Sequence, residues 1–448
     1  MIMVEPKTSK YIYDVSPDPL KVVLLRQSTL ELLKKYPVEG IYFDATGKVT
    51  KHPVCHPYHS YKRILYYACV VNINNHLVPI GELISSKHDY FTIKHFLDDL
   101  IQNMPKNFKP KFFVTDWSWP LIKSILISFN QMTITEYIDY TYDVIMSNKK
   151  IQINKVGSFI IYCAHFVNII SSQLTDKWPS SVTKNFILDL FCGILNCDSL
   201  QDVDDLFKLY CVICCSQFEN QIVLKSLKSV HKILGRIYQN ENHKNEITPS
   251  ETETWRLPQR DTFFKKSTFS CSPYYIRYNR IFMETSESNN NESNNFTFNS
   301  KVNDFYNAEF VSFTLKQYMP FLPLWGVCFA RKLGIEGRLS NANAESWFSI
   351  VKNHYTNHQS LRLGRFISIL KEKTEKMTKL IQLKEIKNPR AFRKITKRLK
   401  TLDLDNEPNE ETWNKKIKII NSPKHFGKRV LSRFVLCNHR FIVFRRFS

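Results

Sequence analysis

No stretch of the 448 residues approaches the ~18 consecutive apolar residues that a membrane span requires. The opening residues, MIMVEPKTSKYIYD, also lack the long apolar run of a secretory signal. These absences predict a protein that is neither membrane-embedded nor secreted by that route. A disulfide framework is missing too: the eleven cysteines are odd in number and scattered, which suits reduced thiols in an intracellular compartment. No internal repeat is visible. Acidic residues are the scarce class, 41 Asp+Glu against 63 Lys+Arg, for a net charge of +22. That surplus points to a polyanionic partner, most often nucleic acid, with simple solubility as the plainer alternative. The apolar fraction of 43% and charged fraction of 23% exclude wholesale disorder. At ~100–200 residues per domain, the length allows two or three domains.

The apolar pattern predicts a helix over 21–35, with Val22, Val23, Leu25, Leu30 and Leu33 mostly on one face. Strands are predicted at 38–43, 61–73, 77–84, 111–115 and 157–162, and helices at 91–101, 121–129 and 134–146. Three adjacent strands, a helix, a strand, helices and another strand give an α/β pattern with a mixed central sheet. That order is also the order of the ribonuclease-H-like fold. From 176 to 239 the chain turns helical and cysteine-rich, and 240–303 is polar. Its low-complexity ETSESNNNESNNFTFNS, at 284–300, reads as a flexible loop with too little apolar surface to order itself.

Three acids stand out by position. Asp44, in GIYFDATGK, ends an apolar strand before a glycine turn, where it either bonds its own backbone or projects into the cleft at the sheet edge. Asp116, in KFFVTDWSWP, repeats the arrangement and could equally be a helix N-cap. Glu345 follows Ser340 or Asn341 as N-cap and falls in the first turn of an amphipathic helix, where the dipole favours a carboxylate. Together the three have a chemical logic. Two-metal phosphoryl transfer needs carboxylates that hold two cations ~3.5–4 Å apart. Hard oxygen ligands of this kind suit Mg²⁺ or Mn²⁺.

The segments YFDATG around Asp44, FFVTDWSWPLIKSI around Asp116, YCAHF at 162–166 and SNANAESWFSIVK around Glu345 lie in this order across 38–355. In that order they resemble a DDE transposase of the Mutator-like kind. The resemblance implies a ribonuclease-H-like mixed sheet flanked by helices, with a mainly helical insertion before the last catalytic helix. It implies Asp44, Asp116 and Glu345 as a metal-holding catalytic triad, DNA as the partner, and cleavage and strand transfer as the reaction. No small-molecule cofactor is expected, and self-association is left open. The family's common Cys-x-x-His stands here as Cys163-Ala164-His165. The zinc-finger module usual in full-length relatives is not visible in the 43 residues before Asp44, which fits a shortened or co-opted copy. The alternative function is therefore a catalytically inactive DNA-binding protein derived from a transposase. The expected organisation is a lead-in at 1–36, the first part of the catalytic domain at 37–174, the helical insertion at 175–335 with its loop at 284–300, a closing helix at 336–370, and a basic C-terminal region at 371–448.

Other candidates carry two readings each. Cys163 and His165 either shape the catalytic domain or are a buried thiol and a hydrogen-bonded imidazole; alone they cannot complete a four-ligand zinc site. Cys211, Cys214 and Cys215 include a Cys-x-x-Cys spacing but read as a buried helix. His52, Cys55, His56 and His59 are rich in ligands, yet sit in an expected hairpin loop. Trp117 and Trp119 either pack the sheet edge or stack on an unpaired base. Residues 371–400 carry 12 Lys/Arg against 3 Glu. Arg393, Lys394, Lys397, Arg398 and Lys400 within them read as phosphate contacts or a nuclear-import signal, and the expected location is the nucleus. This charge disfavours a third reading, a structural protein with no nucleic acid partner.

Overall fold

The structure is a computed structural model and describes residues 11–51, 63–147, 158–161, 163–177, 181–239, 244–246, 269–293, 301–335, 341–383, 434–437 and 440–443. Its centre is a seven-stranded sheet made of β1 (Ile12–Pro17), β2 (Leu20–Leu25), β3 (Gly40–Gly47), β4 (Leu65–Ile73), β5 (His76–Ser85), β6 (Phe112–Thr115) and β7 (Ser158–Ile161). The strand order is β1-β2-β5-β4-β3-β6-β7. Pairings from β1 through β3 are antiparallel, whereas β3–β6 and β6–β7 are parallel. This is the mixed α/β sheet that the strand order predicts.

Local chemistry explains the central hairpin. β4 and β5 are joined through Asn74 and Asn75, both at positive φ (50° and 63°). Two left-handed residues make the tight turn whose twist matches paired strands, and asparagine tolerates that conformation better than most residues. The long apolar runs on either side are buried nearly throughout.

The helix expected over 21–35 is corrected. Leu20–Leu25 is a strand and only Gln27–Lys35 is helix, α1. Val22, Val23, Leu24 and Leu25 are buried in succession, so no polar face exists for a surface helix. Such a run suits a strand covered on both faces, and β2 lies between β1 and β5. Residues 12–25 therefore extend the sheet.

Helices α2 (Tyr90–Asn103), α3 (Trp119–Ile125) and α4 (Ile134–Met146) pack around it. α4 opens on a capping box in which Thr133 and Glu136 satisfy each other's backbone donors. After β7 the chain is helical: α5 (Cys163–Lys177), α6 (Ser181–Leu195), α7 (Leu200–Cys215), α8 (Gln221–Gln239), α9 (Pro273–Ser293), α10 (Ala308–Gln317), α11 (Leu322–Trp325) and α12 (Cys328–Lys332). The loop expected at 284–300 is corrected in its first part, because α9 continues to Ser293; 294–300 lie outside the described residues. Tyr274 and Tyr278 bury the helix's first turns, and the Thr285 hydroxyl donates to the Ile281 carbonyl, so helix already anchored upstream propagates into polar sequence. α13 (Ala342–Ile350) and α14 (Leu363–Leu383) then return to the sheet. β8 (Lys244–Glu246), β9 (Phe434–Cys437) and β10 (Arg440–Val443) form a small antiparallel sheet. One hydrophobic cluster runs from the sheet strands into the helical insertion.

Candidate functional site

Register brings two of the three acids together. In the parallel pair β3–β6, Gly40 is opposite Phe112, Ile41 opposite Phe113 and Tyr42 opposite Val114. Two residues further along each chain stand Asp44 and Asp116, so the alternation of side chains gives them the same face just past the end of the parallel pairing. Asp116 follows the last residue of β6, whereas Asp44 does not end its strand as expected but lies inside β3, opposite Ala68 of β4, because pairing with β4 carries β3 on to Gly47. Gly40 permits this close pairing, because a Cβ there would lie 2.1 Å from the Phe112 ring.

Asp44 is buried, with 6% of its surface exposed, and its Oδ1 accepts from the Ala45 N–H at 2.6 Å. Burial pushes its carboxyl well above the usual carboxylate range, and the negative field of Asp116 pushes it further; Glu345 adds a smaller push in the same direction. The Ala45 hydrogen bond opposes them. Desolvation and like charge both favour the protonated acid here.

Asn341 closes the pair. Its Nδ2 donates to Asp44 Oδ2 at 3.1 Å and to Asp116 Oδ1 at 3.3 Å. Of the two N-caps that the sequence offers, Ser340 and Asn341, it is Asn341 that holds the position before α13, yet its side chain makes no capping hydrogen bond. Capping preference is local and cannot register two acids more than two hundred positions upstream.

Glu345 lies in the first turn of α13, as expected. The helix is held to the sheet by Trp347, whose indole N–H donates to the Tyr66 hydroxyl at 3.0 Å, and by Phe348, edge-on to the Tyr66 ring at 5.8 Å. Tyr66 in turn donates to the buried Glu82, which also accepts from Tyr11 at 2.9 Å. Glu345 is felt at Asp44 electrostatically. Among the described residues, no group of three or more His, Cys, Asp or Glu side chains is arranged to hold a metal ion. The Asp44–Asp116 pair alone still has the right chemistry for a hard divalent cation: carboxylate oxygens that repel one another, plus the buried Oδ1 of Asn341, which has no hydrogen-bond partner.

Trp117 and Trp119 pack. Their rings meet edge-on at 5.4 Å, Trp117 lies 5.6 Å from Phe166, and Trp119 lies 5.1 Å from Phe321. They join the Asp116 loop to the helical insertion, where Phe166 stacks on Trp325 at 4.5 Å. Sequence reasoning missed His88, whose Nδ1 lies 2.7 Å from the Tyr67 hydroxyl and whose Nε2 lies 3.0 Å from Ser118 Oγ, two residues after Asp116. A lone histidine before a helix carries no signal for that.

Cys163 and His165 are in the first turn of α5, directly after β7. Cys211 and Cys214 are buried in α7 and Cys215 is half-buried; burial pushes the Cys215 thiol up to about 12, in keeping with core cysteines. His52, Cys55, His56 and His59 lie outside the described residues, as do Arg393, Lys394, Lys397, Arg398 and Lys400. No helix among the described residues is long and apolar enough to cross a membrane.

A 120.7 kDa protein in the NOF-FB transposable element of Drosophila melanogaster is 23% identical to this chain over 216 residues. The chain is a distant homologue of a transposable-element protein. The matched part is 47% of this chain and 20% of the length of that relative. No protein-family model matches the chain.

Proposed function

We propose that the chain is a transposase-type phosphoryl transferase of the Mutator-like DDE kind, with a ribonuclease-H-like sheet, acting on DNA with Mg²⁺ or Mn²⁺. The observation that carries this is the meeting of Asp44, within β3, and Asp116, at the end of the parallel strand β6, bridged by Asn341 at the start of the Glu345 helix. Strand order supports it: β5, β4 and β3 antiparallel, with β6 and β7 parallel to β3, make a mixed sheet, in keeping with the mixed sheet that the resemblance implies. The distant similarity to a transposable-element protein and the +22 charge agree with it.

In this reading Asp44, Asp116 and Glu345 hold the cations. When bound, these would activate the attacking oxygen and stabilise the leaving oxygen of a phosphodiester. The chain's own residues hold and orient. The Ala45 N–H fixes one oxygen of Asp44, and Trp347 pins the helix that carries Glu345. Arg393, Lys394, Lys397, Arg398 and Lys400 hold the phosphate backbone, and the same basic run directs the chain to the nucleus.

Cleavage of duplex DNA in Mg²⁺ or Mn²⁺ tests the proposal. Asp44→Asn, Asp116→Asn and Glu345→Gln should each lower the rate at least ~100-fold while DNA binding persists, because each amide keeps the shape but loses the charge that offsets cation repulsion. Wild-type cleavage by any one variant removes that residue from the triad. The absence of a three-carboxylate group among the described residues favours a second reading, a co-opted DNA-binding protein. A chain that binds DNA and cleaves none in either metal would establish it.

A further inference from the structure

Asn341 is fully buried, and its two amide atoms are treated unequally. Nδ2 donates to a carboxylate oxygen of Asp44 and to one of Asp116, whereas Oδ1 has no hydrogen-bond partner. Buried side-chain acceptors are seldom left in that state. Helix capping does not account for it, because the side chain makes no cap hydrogen bond to α13.

We propose that Asn341 is an oxygen ligand of the divalent cation held by Asp44 and Asp116, its amide N–H₂ standing in for that cation when none is bound. The inference rests on the reading of the aspartate pair as a cation centre. Two carboxylates side by side need positive charge between them, and an amide N–H₂ offers only a partial one. A cation meets that need better and displaces the donor. The terminal torsion of asparagine is broad and roughly two-fold, so a half-turn about Cβ–Cγ exchanges Nδ2 for Oδ1. The orphaned oxygen then faces the metal, and amide carbonyls are good ligands for hard cations. The centre would thus draw a neutral donor from the residue just ahead of α13, as well as an acid from its first turn.

The test is Mn²⁺ binding to the full chain without DNA. Free Mn²⁺ is followed by its paramagnetic resonance signal, and melting temperature is recorded with metal and with chelator. Asn341→Leu should weaken Mn²⁺ binding at least tenfold. Asn341→Asp should bind at least as tightly as wild type and show a larger Mn²⁺-induced rise in melting temperature, since three carboxylates then meet without metal. If the leucine variant does not fold, the aspartate variant still tests the proposal, because a side chain at 341 that does not face the cation would leave the rise unchanged. If wild type binds Mn²⁺ through Asp44 and Asp116 while Asn341→Leu binds equally well or better, or Asn341→Asp shows no larger rise, the ligand role is overturned and the cation centre stands. If wild type binds no Mn²⁺, the cation centre itself falls, and this inference with it.

Discussion

At the scale of single residues, the protonation of Asp44 is linked to the fold around it. Its carboxyl is raised by burial and by Asp116, so the folded chain holds this proton more strongly than the unfolded chain does. Stability is therefore lost as pH climbs from the ordinary aspartate value of ~3.9 towards the raised one, and neutral solution carries the penalty. In chelator at pH 7, Asp44→Asn should melt at a higher temperature than wild type, with the gap closing as pH falls to ~4. An equal gap at both pH values would mean the gain is packing rather than charge. Such a variant would be more stable and less active, as is common where a site concentrates like charge. Asp44 and Asp116 were legible in the sequence because each directly follows an apolar run, although β3 continues past Asp44 to Gly47. The bridging amide of Asn341 was not, since its partners lie 297 and 225 positions away.

At the scale of elements, α13 is fixed by a buried polar chain rather than by apolar contact alone. Trp347 donates to Tyr66, Tyr66 to Glu82, and Tyr11 to Glu82 as well. Burial raises Glu82, while Arg26 and the two hydroxyls pull it back. Arg26 also lies over the Tyr11 ring at 3.8 Å and donates to the Leu370 and Lys371 carbonyls of α14. Tyr66→Phe strips the shared hydroxyl and leaves an indole donor and a carboxylate oxygen short of a partner, at ~1–3 kcal/mol for each buried group. Equilibrium unfolding should therefore show a loss of about 2–4 kcal/mol; a loss under ~1 kcal/mol would mean that neighbours re-satisfy both groups. Trp347→Phe should cost less, since the Tyr66 hydroxyl keeps Glu82. The strands β3 to β7 were legible because their apolar runs are bounded by turns. β2 was misread for a physical reason: Leu20–Leu25 is apolar on both faces, a pattern that does not separate a covered strand from the start of a helix without knowledge of the strands beside it. α9 reached into polar sequence because its anchoring tyrosines lie upstream of the low-complexity stretch.

At the scale of the whole molecule, the +22 charge makes association with DNA a matter of counterions. Log K should fall with log salt at a slope of about −0.9 per phosphate neutralised. Reversing four charges within 393–400 should flatten that slope and weaken every duplex sequence alike; unchanged affinity and slope would place the contact elsewhere. The pairing of Asn341 with Asp44 and Asp116 also has a bearing on synthesis. The two acids leave the ribosome early, on strands that can pair as soon as they emerge, whereas the amide follows 225 residues after Asp116. At ~5–20 residues per second, that interval is roughly 10–45 s of translation. Through all of it neither the amide nor the Glu345 helix has been made, so the centre is completed late, after the helical insertion. A message cut short anywhere in the insertion yields a protein with the strands of the site and none of its closure.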